Sequence, residues 1–330
     1  DHRDLHSFPT RRSSDLDTPA ARPSGNSGQP QPADASRNAR RPVSEADLRY
    51  WLENMIVYHR FRAEEAAVAT GMKNEEVEAA AKRWDLQPGA QPQRRPGDPL
   101  VVLPYPGGRH PRLGFLEGAI DPQRETKVSI FTPWDPASYV VFDVPEAVWS
   151  NLGLTYLAHT HIPTVWTKQG IHLPVQEWER REGGVLRSTR RLPNGIVIAV
   201  EVRPKADEVQ FDLSLANGTD KPLTGLRIQN CVMLSYAKGF SQQASDNKVS
   251  RVPFEACRSD DGTRWIVTAW NPCWRTWDNP QCPCMHSDPV LPDCAPGQTT
   301  KASGFLWFYA GTDIQSELQR LSKKTGWPLK

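Results

Sequence analysis

The sequence predicts a mainly β protein, an antiparallel β-sandwich preceded by a small N-terminal module of three helices. From residue 98 onward, apolar and β-branched residues recur with the two-residue period of strands. Turn sequences such as Pro193-Asn194-Gly195 and Asp260-Asp261-Gly262 separate these runs. No helix-length periodicity lies between the strands, so crossover α/β folds are not expected.

The first 43 residues are expected to contribute no folded structure. Residues 1–16 (DHRDLHSFPTRRSSDL) resemble the translation of a sequencing adapter, so the native N-terminus is expected to be missing. Residues 17–41 are rich in Pro, Ser, Gly and Ala and hold almost no large apolar residue, so burial cannot offset their ordering entropy. A flexible linker of this kind often follows an export signal or a lipid anchor, and we therefore expect a periplasmic or secreted protein.

Residues 44–87 have the periodicity of three short helices. Ser44 is a typical helix N-cap, and apolar residues follow it at helical spacing. Gly71 ends the second helix, and Pro88 follows the third. The predicted helices cover residues 44–59, 63–70 and 74–84. Over roughly 25 residues this segment resembles a helix-turn-helix.

Nucleic acid is nevertheless not expected as a partner. The third helix starts with Asn74-Glu75-Glu76-Val77-Glu78, which places three carboxylates where phosphates and base edges would lie. The 40 Lys and Arg nearly cancel the 38 Asp and Glu, so the net charge of +2 gives no field that would gather a polyanion. No stretch approaches the roughly 18–20 consecutive apolar residues of a membrane-spanning helix, so no transmembrane segment is expected.

The β-sandwich domain is predicted over residues 98–330. Its expected strands are Leu100–Leu103, Lys127–Thr132, Tyr139–Val144, Leu154–His159, Ile196–Val202, Val209–Leu215, Leu226–Leu234, Trp265–Trp270 and Phe305–Tyr309. A helix is predicted over residues 313–323, since Ile314, Leu318 and Leu321 form one apolar stripe that would pack across a sheet.

The segment Arg191–Met233 has the layout of two long strands joined by a turn. The run Val209–Leu215 alternates apolar and polar residues, Asn217-Gly218-Thr219 turns the chain, and a second long strand follows. Over about 45 residues this layout resembles the galactose-mutarotase-like β-supersandwich. The resemblance implies a fold of sugar epimerases and of accessory domains in glycosidases and polysaccharide lyases. The whole chain also resembles an uncharacterised bacterial family, which implies no activity.

His159-Thr160-His161 is the sharpest local motif. Residues two apart on a strand face the same side and can bind one divalent metal ion together. His172 or Glu177 could add a third ligand across a hairpin. The alternatives are a pair that binds a ligand or transfers protons, and a pair that is purely structural.

Carboxylates are the other requirement for sugar chemistry, since glycoside hydrolysis uses two of them and epimerisation pairs a base with an acid. The candidates are Glu177, Glu117 and Asp121, the last two lying close to glycines that permit a ligand to approach. Arg109 and Arg124 lie near enough in sequence to orient a carboxylate or a uronate. The alternative, which the composition favours for any single carboxylate, is a solvated surface charge.

The 12 tryptophans suggest sugar binding, because an indole stacks on the apolar face of a pyranose ring. Three of them are interpreted as substrate-binding residues in loops, or else as residues that fill the edges of the hydrophobic core: Trp134, Trp166 and Trp178. Trp265, Trp270 and Trp307 are assigned to the core.

Six cysteines lie between Cys231 and Cys294, four of them in a Pro-, Asn- and Asp-rich stretch that reads as a loop. Disulfides are the favoured interpretation. A zinc site that His286 joins and free thiols are the alternatives. His286 and Asp288 are expected to contribute to the substrate cleft.

The sequence therefore favours a carbohydrate-active protein, of hydrolase, lyase or epimerase type, that binds a glycan in a β-sandwich cleft. A non-catalytic carbohydrate-binding or envelope scaffold protein is the first alternative. A metal-dependent enzyme built on His159 and His161 is the second.

Overall fold

The strands and helices are given by a computed structural model, which describes residues 39–109, 126–158, 164–280 and 282–330. Within these ranges the chain is mainly antiparallel β, with two sheets packed as a sandwich, so the predicted fold class is confirmed. None of the helices in the described ranges is long and apolar enough to cross a membrane.

The helical module follows its sequence signals. The Ser44 hydroxyl accepts a hydrogen bond from the Asp47 amide at 3.1 Å and so begins the first helix. The last part of the predicted first helix is a π-helix over Glu53–Tyr58, where the His59 amide bonds back to the Asn54 carbonyl. The α-helices are α1 (Glu45–Leu52), α2 (Ala63–Thr70) and α3 (Asn74–Arg83).

Fifteen strands and one further α-helix follow within the described ranges. They are β1 (Val102–Pro104), β2 (Lys127–Phe131), β3 (Tyr139–Ser150), β4 (Gly153–Tyr156), β5 (Glu179–Arg180), β6 (Leu186–Arg191), β7 (Val197–Pro204), β8 (Glu208–Ala216), β9 (Arg227–Met233), β10 (Lys248–Arg251), β11 (Phe254–Arg258), β12 (Arg264–Asn271), β13 (Cys273–Asp278), β14 (Cys284–Pro289), β15 (Thr299–Ala310) and α4 (Ile314–Thr325).

The strands form two sheets. The first sheet has the order β1-β2-β3-β9-β14-β13, with β4 paired to β3, and the second has the order β10-β11-β12-β15-β8-β7-β6-β5. The main core lies between the inner faces of the sheets and includes Val140, Phe142, Phe211, Leu213 and Ile266. Burial of these alternate residues in both sheets holds the sandwich together.

Helices cover parts of both outer faces. On the second sheet, α4 packs Ile314, Leu318 and Leu321 against the sheet, as the apolar stripe predicts. On the first sheet, the helical module is held by a 2.7 Å hydrogen bond between His59 Nε2 and Ser129 Oγ of β2. The rest of this outer face carries the polar residues described below.

The Cys-rich stretch is a correction to the sequence analysis. It forms two paired strands, β13 and β14, instead of a loop, and the turn between them carries the Pro and Asn residues. Strand pairing satisfies its backbone groups although its composition is typical of a loop. The predicted disulfides are not confirmed either, because none of the six cysteines, all of which lie in the described ranges, forms a disulfide bond.

One position of β15 has room only for glycine because of a neighbouring ring. Gly304 of β15 lies opposite the fully buried Trp270 of β12, and a Cβ at this position would overlap the indole. We expect Gly304→Ala to lower the free energy of unfolding by about 1–3 kcal/mol, because a packed core cannot move the ring at low cost. Urea denaturation checks this, with Lys301→Ala on the exposed face of β15 as the control. A Trp270→Leu background should remove most of the cost, and a Gly304→Ala variant as stable as the unmodified chain would contradict the packing.

Candidate functional site

A row of polar side chains crosses the outer face of the first sheet. The strand register pairs Lys127 of β2 with Asp143 of β3, Asp143 with Cys231 of β9, and Trp277 of β13 with His286 of β14. We call these five residues the polar row. Lys127, Asp143, Cys231 and His286 are each at most 2% exposed. Buried polar groups on an outer sheet face are costly unless they are paired, so the row is a candidate functional site.

At one end of the row lies a buried ion pair. Lys127 Nζ is 2.8 Å from Asp143 Oδ1, and neither side chain is exposed. Thr126 Oγ1 donates to the same carboxylate at 2.6 Å, and Lys127 Nζ also donates to the Ala158 carbonyl at 3.1 Å. The pair therefore joins β2 and β3 to the segment that follows β4.

A second set of contacts, which we call the carboxylate network, runs beside the row. The register of β3 shifts between Asp143 and Ala147, around Pro145, and the Glu146 side chain reaches β9. Tyr156 Oη donates to Glu146 Oε1 at 2.6 Å, and Gln229 Nε2 donates to Glu146 Oε2 at 2.8 Å. Glu146 is thus a buried carboxylate held by a phenol and an amide.

The network continues to Asp288 of β14. Arg275 Nε and Trp277 Nε1 each donate a hydrogen bond to Asp288 Oδ2 at 2.8 Å. The backbone N–H of Asn230 donates to Asp288 Oδ1 at 3.2 Å. Burial raises the pKa of Asp288, although His286 and Arg275 act in the opposite direction. The carboxylate network therefore consists of Tyr156, Glu146, Gln229, Arg275, Asp288 and Trp277.

His286 lies where the row and the network meet. Its ring stacks on the Trp277 indole, with centroids 3.8 Å apart and planes 8° from parallel, and its Nδ1 is 2.7 Å from the Asn230 carbonyl. Burial alone would lower the pKa of His286, but the Cys231 sulfur, Asp288 and Glu146 outweigh it and raise the pKa to about 9.

A half-buried rim borders the network. Trp149 of β3 is paired with Arg227 of β9, and the Arg227 guanidinium lies 4.6 Å from the Trp274 ring centroid. Arg275 lies 4.2 Å from the same centroid and 4.9 Å from that of Trp277. We call Trp149, Arg227, Trp274, Arg275 and Trp277 the aromatic–arginine rim. All five residues of the rim are partly exposed.

Among the described residues, two of the sequence-predicted site residues come together here. His286 and Asp288 lie in the site, on the same face of β14. His159, His161, Glu117, Asp121 and Arg124 lie outside the described residues. The predicted strand that was to carry His159 ends at Tyr156.

Three other candidates lie elsewhere in the structure. Glu177 forms a two-pronged ion pair with Arg40, at 2.9 and 3.0 Å, and so fastens the segment before α1. Arg109 pairs with Glu65 of α2 at 2.7 and 2.9 Å and accordingly joins the helical module to the segment after β1. His172 is exposed and belongs to no group of metal-ligating side chains among the described residues.

The three predicted substrate-binding tryptophans are in or against the main core. Trp166 and Trp178 are 6% and 4% exposed, and Trp166 Nε1 donates to Thr155 Oγ1 at 3.2 Å. Trp134 packs on Phe240 and Phe308. All three indoles thus lie in or against the main core, and their role as substrate-binding residues stays a prediction. Trp274 and Trp277, on β13, are partly exposed.

The main residues that sequence reasoning missed are Lys127, Asp143, Glu146 and Gln229. Each interrupts an otherwise apolar strand, as in Phe142-Asp143-Val144 and Ile228-Gln229-Asn230. A charged residue inside an apolar strand is the signal that could have identified them, since burying it requires a partner.

The fold and the site thus define a β-sandwich protein with a buried polar cluster on one sheet face. No family model matches the sequence, and no curated protein matches it. Solved structures do resemble it, each at low identity and low TM-score. The chain is similar to a candidate kojibiose phosphorylase from the human microbiome, at 8% identity and TM-score 0.31, over 44% of this chain and 21% of that one.

It is also similar to a candidate aldose 1-epimerase from Escherichia coli K12, at 11% identity and TM-score 0.33, over 67% of this chain and 90% of that one. A third likeness is to the heparan sulfate lyase HepC from Pedobacter heparinus, at 10% identity and TM-score 0.33, over 82% and 42%. The chain thus spans less than half of the phosphorylase and of the lyase. The epimerase is a neighbour of the kind that the galactose-mutarotase-like resemblance implies.

Proposed function

We propose that the chain is a carbohydrate-directed protein that binds an acidic glycan on the outer face of its first sheet. The observation that carries this proposal is the aromatic–arginine rim beside the buried carboxylate network. Indole faces stack on pyranose rings, and guanidinium groups bind carboxylates through paired hydrogen bonds. A rim with both groups suits a sugar that carries a uronate.

The charges of the rim support an anionic ligand. Arg275 is paired with Asp288 at 2.8 Å, whereas Arg227 pairs with no carboxylate among the described residues and lies over Trp274. Arg227 is half-buried on the outer face of the first sheet, so it can bind a ligand without breaking an internal ion pair. A partly desolvated arginine of this kind favours a ligand that supplies the missing carboxylate.

Acid–base chemistry on the bound glycan, of hydrolase, lyase or epimerase type, is the finer part of the proposal. Its support is the 2.6 Å hydrogen bond between Tyr156 and Glu146, which places a proton donor against a carboxylate below the rim. Product analysis after incubation with a panel of glycans tests this part. Binding without any product would assign the alternative function, a non-catalytic carbohydrate-binding or scaffold protein.

A periplasmic or secreted location belongs to the same proposal. It is supported by the Pro- and Ser-rich composition of residues 17–41. Cell fractionation of the native host protein tests it.

We expect Trp274→Ala to weaken binding of a uronate-containing polysaccharide by roughly tenfold, which corresponds to about 1.4 kcal/mol. The matched control is Trp307→Ala. Trp307 is a half-buried tryptophan on the second sheet that also has two cations over its ring, Arg320 at 5.0 Å and Lys324 at 4.7 Å. Titration calorimetry on both variants gives the comparison.

A second pair of variants tests the charge preference. Arg227→Gln should weaken binding of the acidic glycan more than binding of its carboxyl-reduced form, while Arg320→Gln should change neither. Equal losses in the Trp274 and Trp307 variants, or no glycan binding by the unmodified chain, would refute the proposed site.

A further inference from the structure

Three metal-ligating side chains converge inside the polar site. Cys284 and His286 are two residues apart on β14 and therefore share a face, and Cys231 lies on the neighbouring strand β9. Their ligand atoms all lie within 4.8 Å of one another. Exposure is 0% for Cys231, 1% for Cys284 and 2% for His286, so all three are shielded from solvent.

The distances fit a single tetrahedral ion. Zinc binds thiolate at about 2.3 Å and imidazole at about 2.0–2.1 Å, which puts a sulfur and a nitrogen of one tetrahedral site roughly 3.5 Å apart. The distance between Cys284 Sγ and His286 Nε2 is 3.4 Å. The two atoms are therefore spaced as ligands of one ion are spaced.

The orientation of the imidazole points the same way. His286 Nδ1 is 2.7 Å from the Asn230 carbonyl, which can only accept, so Nδ1 carries a proton. Nε2 is then the ring nitrogen on the side of the Cys284 sulfur, and it binds a metal ion once it is unprotonated. Metal-bound histidines usually donate their other ring N–H to a backbone carbonyl or a carboxylate in this manner.

We propose that Cys231, Cys284 and His286 hold one Zn²⁺ ion. Two thiolates and one imidazole form a soft donor set that selects zinc over Mg²⁺ and Ca²⁺, which prefer oxygen ligands. The metal site is tested separately from the proposed glycan site, although its ligand His286 stacks on Trp277 of the rim.

Two other uses of these side chains give different experimental results. Cys231 and Cys284 could form a disulfide, or the three groups could pack as uncharged core residues. Thiol counting and peptide mapping under denaturing conditions separate the first of these from zinc binding. Metal content separates the second.

The experiment measures zinc per chain in the full-length protein, purified with reductant, stripped with a chelator and reloaded with Zn²⁺ alone. We expect about one tightly bound zinc per chain, and occupancy below about a tenth of that in Cys231→Ser, Cys284→Ser and His286→Gln. Cys257→Ser and Cys294→Ser are the matched controls, since both cysteines are buried and lie outside the cluster. Both controls should keep the zinc.

Cobalt substitution of the unmodified protein keeps the test decisive if a ligand variant does not fold. Co²⁺ should give thiolate-to-metal charge-transfer bands and the intense visible bands of a tetrahedral site. A folded, reduced chain that takes up no zinc and shows no such bands would overturn the proposal, as would a Cys231–Cys284 disulfide or zinc retention by the Cys284→Ser variant. Glycan binding by the stripped protein is measured separately, so loss of one proposal leaves the other to be judged alone.

Discussion

Replacing Lys127 by methionine is expected to lower the free energy of unfolding by about 3–5 kcal/mol, because it leaves the Asp143 carboxylate buried without its cation. The Lys127 Nζ and Asp143 Oδ1 atoms are 2.8 Å apart, and neither side chain is exposed. Methionine keeps most of the aliphatic volume of lysine, so the loss of stability results from the missing charge and not from a cavity. Urea denaturation of the purified variant gives the value.

The double variant Lys127→Met, Asp143→Leu is the decisive control. Removing both charges leaves no buried ion without a partner, so we expect it to recover most of the lost stability. Lys301→Met, on the exposed face of β15, should have almost no effect. A double variant that is less stable than Lys127→Met would show that the pair contributes through other contacts.

Replacing Glu255 by glutamine is expected to stabilise the folded chain at alkaline pH. Glu255 is a fully buried residue of β11, and burial raises its pKa from 4.5 to about 7. A carboxyl group whose pKa rises on folding favours the folded state only while it is protonated. Its contribution is present below pH 4.5, is lost as the pH rises to about 7, and is absent above that.

Glutamine stays neutral and can still accept the hydrogen bond that the Ser250 hydroxyl donates to Glu255. At pH 8 the variant should therefore be more stable than the unmodified chain by about 3 kcal/mol, from 1.36 kcal/mol for each unit of pKa change. At pH 4 the two should be equal. Denaturation at both pH values measures this, with the exposed Glu182→Gln as the control. An equal difference at pH 4 and pH 8 would contradict the raised pKa.

The elements of the fold could be predicted because their signals are local. The predicted strand Val209–Leu215 lies inside the observed β8, and the predicted helix over residues 313–323 differs from α4 by one or two residues at each end. In both segments the apolar residues lie on one face and are buried. A residue's neighbours two or four positions away are enough to decide such a pattern.

Strands β13 and β14 were missed for the opposite reason. Their sequence, from Cys273 to Pro289, has polar residues, prolines and cysteines but little alternation of apolar residues. All six residues of β14 are buried, including His286, Ser287 and Asp288. Their partners are on other strands, so the local sequence holds no sign that they are satisfied.

The candidate site could be predicted only in part. His286 and Asp288 were selected because they follow the clustered cysteines, whereas Glu146 and Gln229 have no neighbouring motif. Among the tryptophans, position in a turn or strand did not decide exposure. Trp166 was interpreted as a loop residue and is buried in the core, whereas Trp274, in the Cys-rich stretch that was interpreted as a loop, lies on β13 at the rim.

The sequence by itself determined that apolar and polar residues alternate as in strands, that helices flank the sandwich, and that the positive and negative charges nearly cancel. Only the tertiary structure decided that β9 lies between β3 and β14, and so brought Cys231 beside Cys284 and His286. The physical reason is that periodicity records which face of a segment is buried, while strand order and register depend on packing between segments far apart in the chain.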